Sequence, residues 1–204
     1  VMGITTTVFF LVYGGVLLNS WLDRDLGISG RVVVRDPAAD AGTTTRLLHV
    51  DRPLLRVPQL AIHLDRDVNS AGLKLNPQAH LSPVWGTGHL DEGGFVRFVA
   101  GELGVAPGDV VSWDAMLHDL TPPTVLGLDG SLLAAPRIDN LLSCHAAIAA
   151  IIAAVPGPRA VVPVVCLFDH EEVGSQSATG ADSSILPTVL ERITAVVGGG
   201  RDEW

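Results

Sequence analysis

The spacing of apolar residues changes character near residue 120. Before that point the pattern is mainly strand-like. Residues 8–12 form a short apolar run that meets the turn signal Gly14-Gly15. Arg31-Val32-Val33-Val34-Arg35 is β-branched and lies between Gly30 and Asp36-Pro37, which predicts a second strand. Residues 43–50 predict a third. Val111, Trp113, Ala115 and Leu117 alternate with more polar positions, the period of a half-buried strand. Pro53, Pro58, Pro77 and Pro83 break the middle of the chain into short pieces. One helix is predicted over Gly94–Leu103. It gathers Phe95, Phe98, Val99 and Leu103 on one side, and Gly104 stops it.

Beyond residue 120 the pattern becomes α/β. Residues 141–155 are rich in alanine, leucine and isoleucine and predict a buried helix closed by Pro156-Gly157-Pro158. Residues 161–168 are nearly all apolar, as in a strand covered on both faces of a parallel sheet. Residues 183–197 predict a second helix, capped by Ser183 or Ser184 with Pro187 in or near its first turn. Helix, buried strand, polar loop and helix make a fragment of a three-layer α/β domain.

Composition narrows the class. The 204 residues are 48% hydrophobic and 17% charged, which excludes a disordered chain. Lys and Arg total 13 against 22 Asp and Glu, a net charge of −9. Nucleic acid and anionic membrane are unsuited partners, because phosphate binding needs a basic footprint. Residues 1–22 carry no charge, but their continuous apolar run is far shorter than the roughly 20 residues a membrane span needs. They read instead as a buried strand. The only cysteines, Cys144 and Cys166, exclude a disulfide framework and point to a reduced, cytoplasmic setting.

The chemistry concentrates in Phe168-Asp169-His170-Glu171-Glu172-Val173-Gly174-Ser175. Ionisable side chains here follow directly on the apolar run, and open α/β sheets bind ligands beyond the carboxyl ends of their strands. Clustered carboxylates repel unless a cation neutralises them. Adjacent ones also point apart, so one can hold a metal while its neighbour works as a base. A solvated acidic turn is the competing reading. Asp139, in Ala135-Pro136-Arg137-Ile138-Asp139-Asn140, reads alone as a helix N-cap and, beside the acidic segment, as a further metal ligand. His63 sits in an apolar setting that by itself suits a structural histidine. Cys144 reads as a small core residue. His49, His80, His89 and His118 carry no specific signal.

Several blocks together resemble the M18 metallo-aminopeptidases, the aspartyl aminopeptidases, in a bacterial form. They are Tyr13-Gly14-Gly15, Trp21-Leu22-Asp23-Arg24-Asp25-Leu26, Gly30-Arg31-Val32, the run from Arg52-Pro53-Leu54-Leu55-Arg56 to Ala61-Ile62-His63-Leu64, and the two segments holding Asp139 and Glu171. The resemblance runs collinearly over residues 13–197.

It implies part of a three-layer α/β zinc-peptidase domain with an inserted β-rich dimerisation domain. The inserted domain falls at 1–120 and the partial catalytic domain at 121–204. It further implies two zinc ions, a peptide substrate with an N-terminal aspartate or glutamate, and dimers that build a dodecamer. Asp139 matches the carboxylate bridging the metals, Glu171 the general base and Glu172 a metal ligand. His63 matches a substrate-binding histidine that reaches a neighbouring subunit's active site.

The family's His-Thr-Asp-type motif has no counterpart in residues 1–12, and its later Asp and His ligands do not occur before Trp204. The chain is therefore expected to be a fragment of an aminopeptidase, or alternatively a truncated, inactive homologue that retains only assembly.

Overall fold

The computed structural model describes residues 15–87, 93–154 and 162–199. Two compact units divide the chain: Leu17–Pro136 makes one, and the residues from Arg137 onward belong to the other. The first strand anticipated from sequence, at 8–12, lies outside the described residues.

The first unit is built on a three-stranded antiparallel sheet. Its strands are β1 (Leu26–Arg35), β2 (Thr43–Leu55) and β3 (Val110–Asp119), in the order β2-β1-β3. The tight connection after β1 explains the antiparallel pairing. Asp36 Oδ1 accepts from the Ala38 amide at 3.1 Å, and Gly42 takes a positive φ of 68° to re-enter β2. Register follows from there, with Arg35 opposite Thr43, Val32 opposite Arg46 and Ile28 opposite Val50. On the other side Val32 faces Trp113 and Ile28 faces Leu117.

Because β1 is central, its alternate residues Leu26, Ile28, Val32 and Val34 are wholly buried. They meet Leu48 and Val50 from β2 on the same face. Two 4-residue helices, α1 (Val68–Ala71) and α2 (Pro77–His80), occupy the proline-broken middle. Helix α2 starts at Asn76, whose side chain accepts from the amides of Gln78 and Ala79. Helix α3 (Gly94–Leu103) forms with the bounds expected, and Gly104 ends it in the left-handed conformation at φ 65°. It buries Phe95, Val99 and Ala100. Trp85 closes over α3 edge-on to Phe98, ring centroids 5.1 Å apart. A hairpin of β4 (Thr124–Leu126) and β5 (Leu132–Ala134) completes this unit.

The second unit holds α4 (Ile138–Ala154) and α5 (Ile185–Val196), matching the two helices expected after residue 120. Two expectations are corrected. Residues 162–168 are not a strand, and the helix at 141–155 is not buried: α4 has no buried residue, with Leu142 65% and Ile152 66% exposed. A strand of a parallel sheet is defined by partners on both edges and helices on both faces. Among the described residues no strand pairs with 162–168. The apolar character of the run survives without the cover that its composition anticipates. Cys144 is also not a core residue: it is partly exposed, and its Sγ donates to Asn140 Oδ1 at 3.2 Å.

Candidate functional site

The acidic segment folds as a hydrogen-bonded loop between residues 162–168 and α5. His170 adopts the left-handed conformation at φ 64° and ψ 30°. One 3₁₀ turn, Glu171–Val173, follows, and Gly174 and Ser175 then take positive φ of 92° and 62°. Glycine accepts this at Gly174, whereas His170 and Ser175 are strained, each by on the order of 1 kcal/mol. Hydrogen bonds hold the strain. The Ser175 amide donates to the His170 carbonyl at 2.9 Å, and the Asp182 amide donates to the Ser175 carbonyl at 3.2 Å. His170 Nδ1 lies 2.6 Å from Ser177 Oγ. This bracing carries Glu171 and Glu172 on a single short turn with both side chains exposed. Adjacent positions of such a turn diverge, which leaves the two carboxylates free to act on different targets.

Asp139 stands at the mouth of α4. Its backbone is extended, at φ −79° and ψ 114°, and the helix proper winds on after Asn140. The peptide bond joining the two is cis. The Asp139 side chain is exposed. The structure therefore brings Asp139, Glu171 and Glu172 into one compact unit, whereas His63 occupies an exposed turn of the other.

Carboxylate oxygens are suitable zinc donors, and a zinc site takes three or four protein ligands. Asp139 and Glu172 fit in kind. Among the described residues no group of three ligand-type side chains forms around them. A three-sided grouping forms elsewhere, from His49, Asp51 and His118 on the sheet of the first unit. Sequence reasoning passed over these residues. The spacing of His49 and Asp51 by two in a strand does place them on one face. The third member lies on β3, and only the strand pairing reveals it.

Comparison with known proteins assigns the class. Residues 5–203 match the family model for the aminopeptidase I zinc metalloproteases, M18. A probable M18 family aminopeptidase 2 of Streptomyces avermitilis is 52% identical over 195 residues, covering 94% of this chain and 44% of that protein. Among solved structures, a chain of the Ape4 and Nbr1 complex superposes with a TM-score of 0.76 at 33% identity, over 89% of this chain and 38% of that one. A chain of the S. cerevisiae mApe1 dodecamer gives a TM-score of 0.65 at 26% identity, over 90% and 41%. The chain thus resembles zinc metallopeptidases in sequence and in fold. It belongs to the M18 family of zinc aminopeptidases, and it spans a little under half the length of the relatives it matches.

Proposed function

We propose that this chain is part of an aminopeptidase that removes N-terminal aspartate or glutamate from peptides, with two zinc ions at its active site. The observation that carries the reading is the family match over residues 5–203, a span containing Asp139, Glu171, Glu172 and His63. The braced turn at Glu171–Val173 supports it, because it offers two exposed, divergent carboxylates beside each other.

Asp139 and Glu172 would hold zinc. When bound, the ions polarise the scissile carbonyl and make water a better nucleophile. Glu171 accepts the proton of the attacking water and passes it to the leaving amine, so no charge accumulates on the nitrogen as the bond breaks. His63 binds substrate and donates toward the developing oxyanion, reaching it from a neighbouring copy. That role requires self-association, and one relative of solved structure is a dodecamer. The domain boundary near residue 120 and a cytoplasmic setting belong to the same reading. Both cysteines are free, as a reducing compartment requires.

The test is release of free aspartate from an Asp-initiated peptide by the zinc-loaded protein, set against Leu- and Lys-initiated peptides of the same length. Preferential aspartate release is expected. Faster release of leucine would overturn the acidic preference. No release from any peptide by a zinc-loaded protein would overturn the aminopeptidase reading of this chain.

A further inference from the structure

We propose that His49, Asp51 and His118 form a binding site for a divalent transition-metal ion on the outer face of the sheet in the first unit. The strands build this site. Leu48 and Val50 of β2 point into the core, so His49 and Asp51 between and beyond them point the other way. His118 faces the same side from β3, paired across the sheet with Gly27 of β1. Normally a side chain on the central strand would separate groups on the two outer strands. Here the central residue is glycine. A Cβ on Gly27 would lie 2.5 Å from His118 Nε2 and closer still to the Val50 carbonyl oxygen. The imidazole of His118 fills the space that the missing side chain leaves, and so comes within reach of β2.

One ligand atom from each of the three residues lies within 4.8 Å of the others. Zinc bound at about 2.0–2.2 Å in tetrahedral geometry needs its ligand atoms roughly 3.5 Å apart. Exposed His49 and Asp51 can close that difference by small side-chain rotations. The His49 and His118 ring centroids are 5.3 Å apart. The rings are stacked with planes 7° apart, so the exposed His49 ring must turn for both imidazole nitrogens to meet one ion.

The polar bookkeeping of His118 points the same way. Its Nδ1 lies 3.2 Å from Ser29 Oγ. Its Nε2 is buried and has no hydrogen-bond partner among the described residues, with Asp51 Oδ1 at 3.6 Å. In the neutral ring, Nδ1–H donating to Ser29 leaves the Nε2 lone pair facing a carboxylate, an arrangement that a cation between them relieves. A histidine held by a hydrogen bond from its other nitrogen is the usual support of a metal ligand. Two histidines and one carboxylate suit zinc, cobalt or iron(II), with positions left for water or a further ligand.

Cobalt(II) serves as the probe, since its visible absorption reports coordination directly. The 204-residue protein is titrated with cobalt chloride alongside His49→Gln, Asp51→Asn, His118→Gln and Glu172→Gln. The expected result is a bound cobalt ion that persists in Glu172→Gln, in addition to any ion held through Glu172 itself. In each of the other three variants its dissociation constant rises at least about tenfold and its visible absorption falls. His49 and Asp51 are exposed, so their variants keep the native far-ultraviolet circular dichroism even if His118→Gln does not. Unchanged cobalt binding and absorption in His49→Gln and Asp51→Asn would overturn the site. So would a wild-type protein whose only bound cobalt is lost in Glu172→Gln.

Discussion

Gly180 packs so tightly on Ser175 that a Cβ at position 180 would overlap the Ser175 carbonyl oxygen. That carbonyl accepts the Asp182 amide, and the Ser175 amide is bound back to His170. The turn bearing Glu171 and Glu172 is therefore anchored at a glycine eight or nine residues further along. Gly180→Ala must push the loop open, and overpacking of this kind costs about 1–3 kcal/mol. Amide hydrogen exchange provides the measurement. The amides of Ser175 and Asp182 are expected to exchange at least about tenfold faster, while those of β1 stay unchanged. Equal acceleration in both places would mean that the glycine serves the whole fold and not this loop.

The core of the first unit makes a second prediction. Leu26 is fully buried at the start of the central strand, between β2 and β3. Leu26→Ala removes its apolar contacts and leaves a cavity among neighbours held by strand pairing on both sides. A loss of about 2–5 kcal/mol is expected in urea unfolding, with the slope of the transition unchanged. A much smaller exposed residue effect, within about 0.5 kcal/mol, is expected for Leu47→Ala, because that side chain is 77% exposed.

Acid sensitivity should centre on Asp119. Partial burial works to raise its carboxyl. The amide and hydroxyl of Thr121 and the Arg24 guanidinium outweigh that effect and hold it below the usual carboxylate range. A carboxyl lowered on folding contributes stability that is present above its unfolded value, about 3.9, and is lost as pH falls through the folded one. Unfolding midpoints measured from pH 5 down to pH 2 are expected to drop more steeply for the wild type than for Asp119→Asn. The variant lacks the titrating group, and it starts from a lower midpoint because its contacts with Arg24 and Thr121 are weakened.

These elements differ in how far the sequence revealed them. Helix α3 was legible to its last residue, since one apolar stripe and a terminal glycine fix both its inner face and its end. Strand β2 runs to Leu55, beyond the 43–50 expected from sequence. Its extension passes through Pro53, which a strand tolerates because β2 lies at the edge of the sheet. No local pattern says which strand will be an edge. The run at 162–168 failed in the opposite sense: an apolar stretch carries the demand for partners and not the partners themselves. The same limit hid the cluster of His49, Asp51 and His118. Its members are ordinary in sequence and meet only through the pairing of β1 with both neighbours and the bare backbone of Gly27.

The adjacent carboxylates of the 3₁₀ turn allow the proposed division of labour to be separated experimentally. Glu171 and Glu172 share one backbone element and the same exposed setting, so a substitution at either disturbs the fold to a similar small degree. Their assigned roles differ. Glu171→Gln keeps the shape of the side chain but removes the proton acceptor, so turnover of an Asp-initiated peptide should fall by about 10²–10⁴-fold with zinc content unchanged. Glu172→Gln exchanges an anionic ligand for a neutral one, so zinc content should fall together with activity. Inductively coupled plasma analysis of the purified proteins, beside the peptide assay, distinguishes these outcomes. Loss of zinc in Glu171→Gln with full occupancy in Glu172→Gln would exchange the two roles. Full activity in Glu171→Gln would remove it from the reaction altogether.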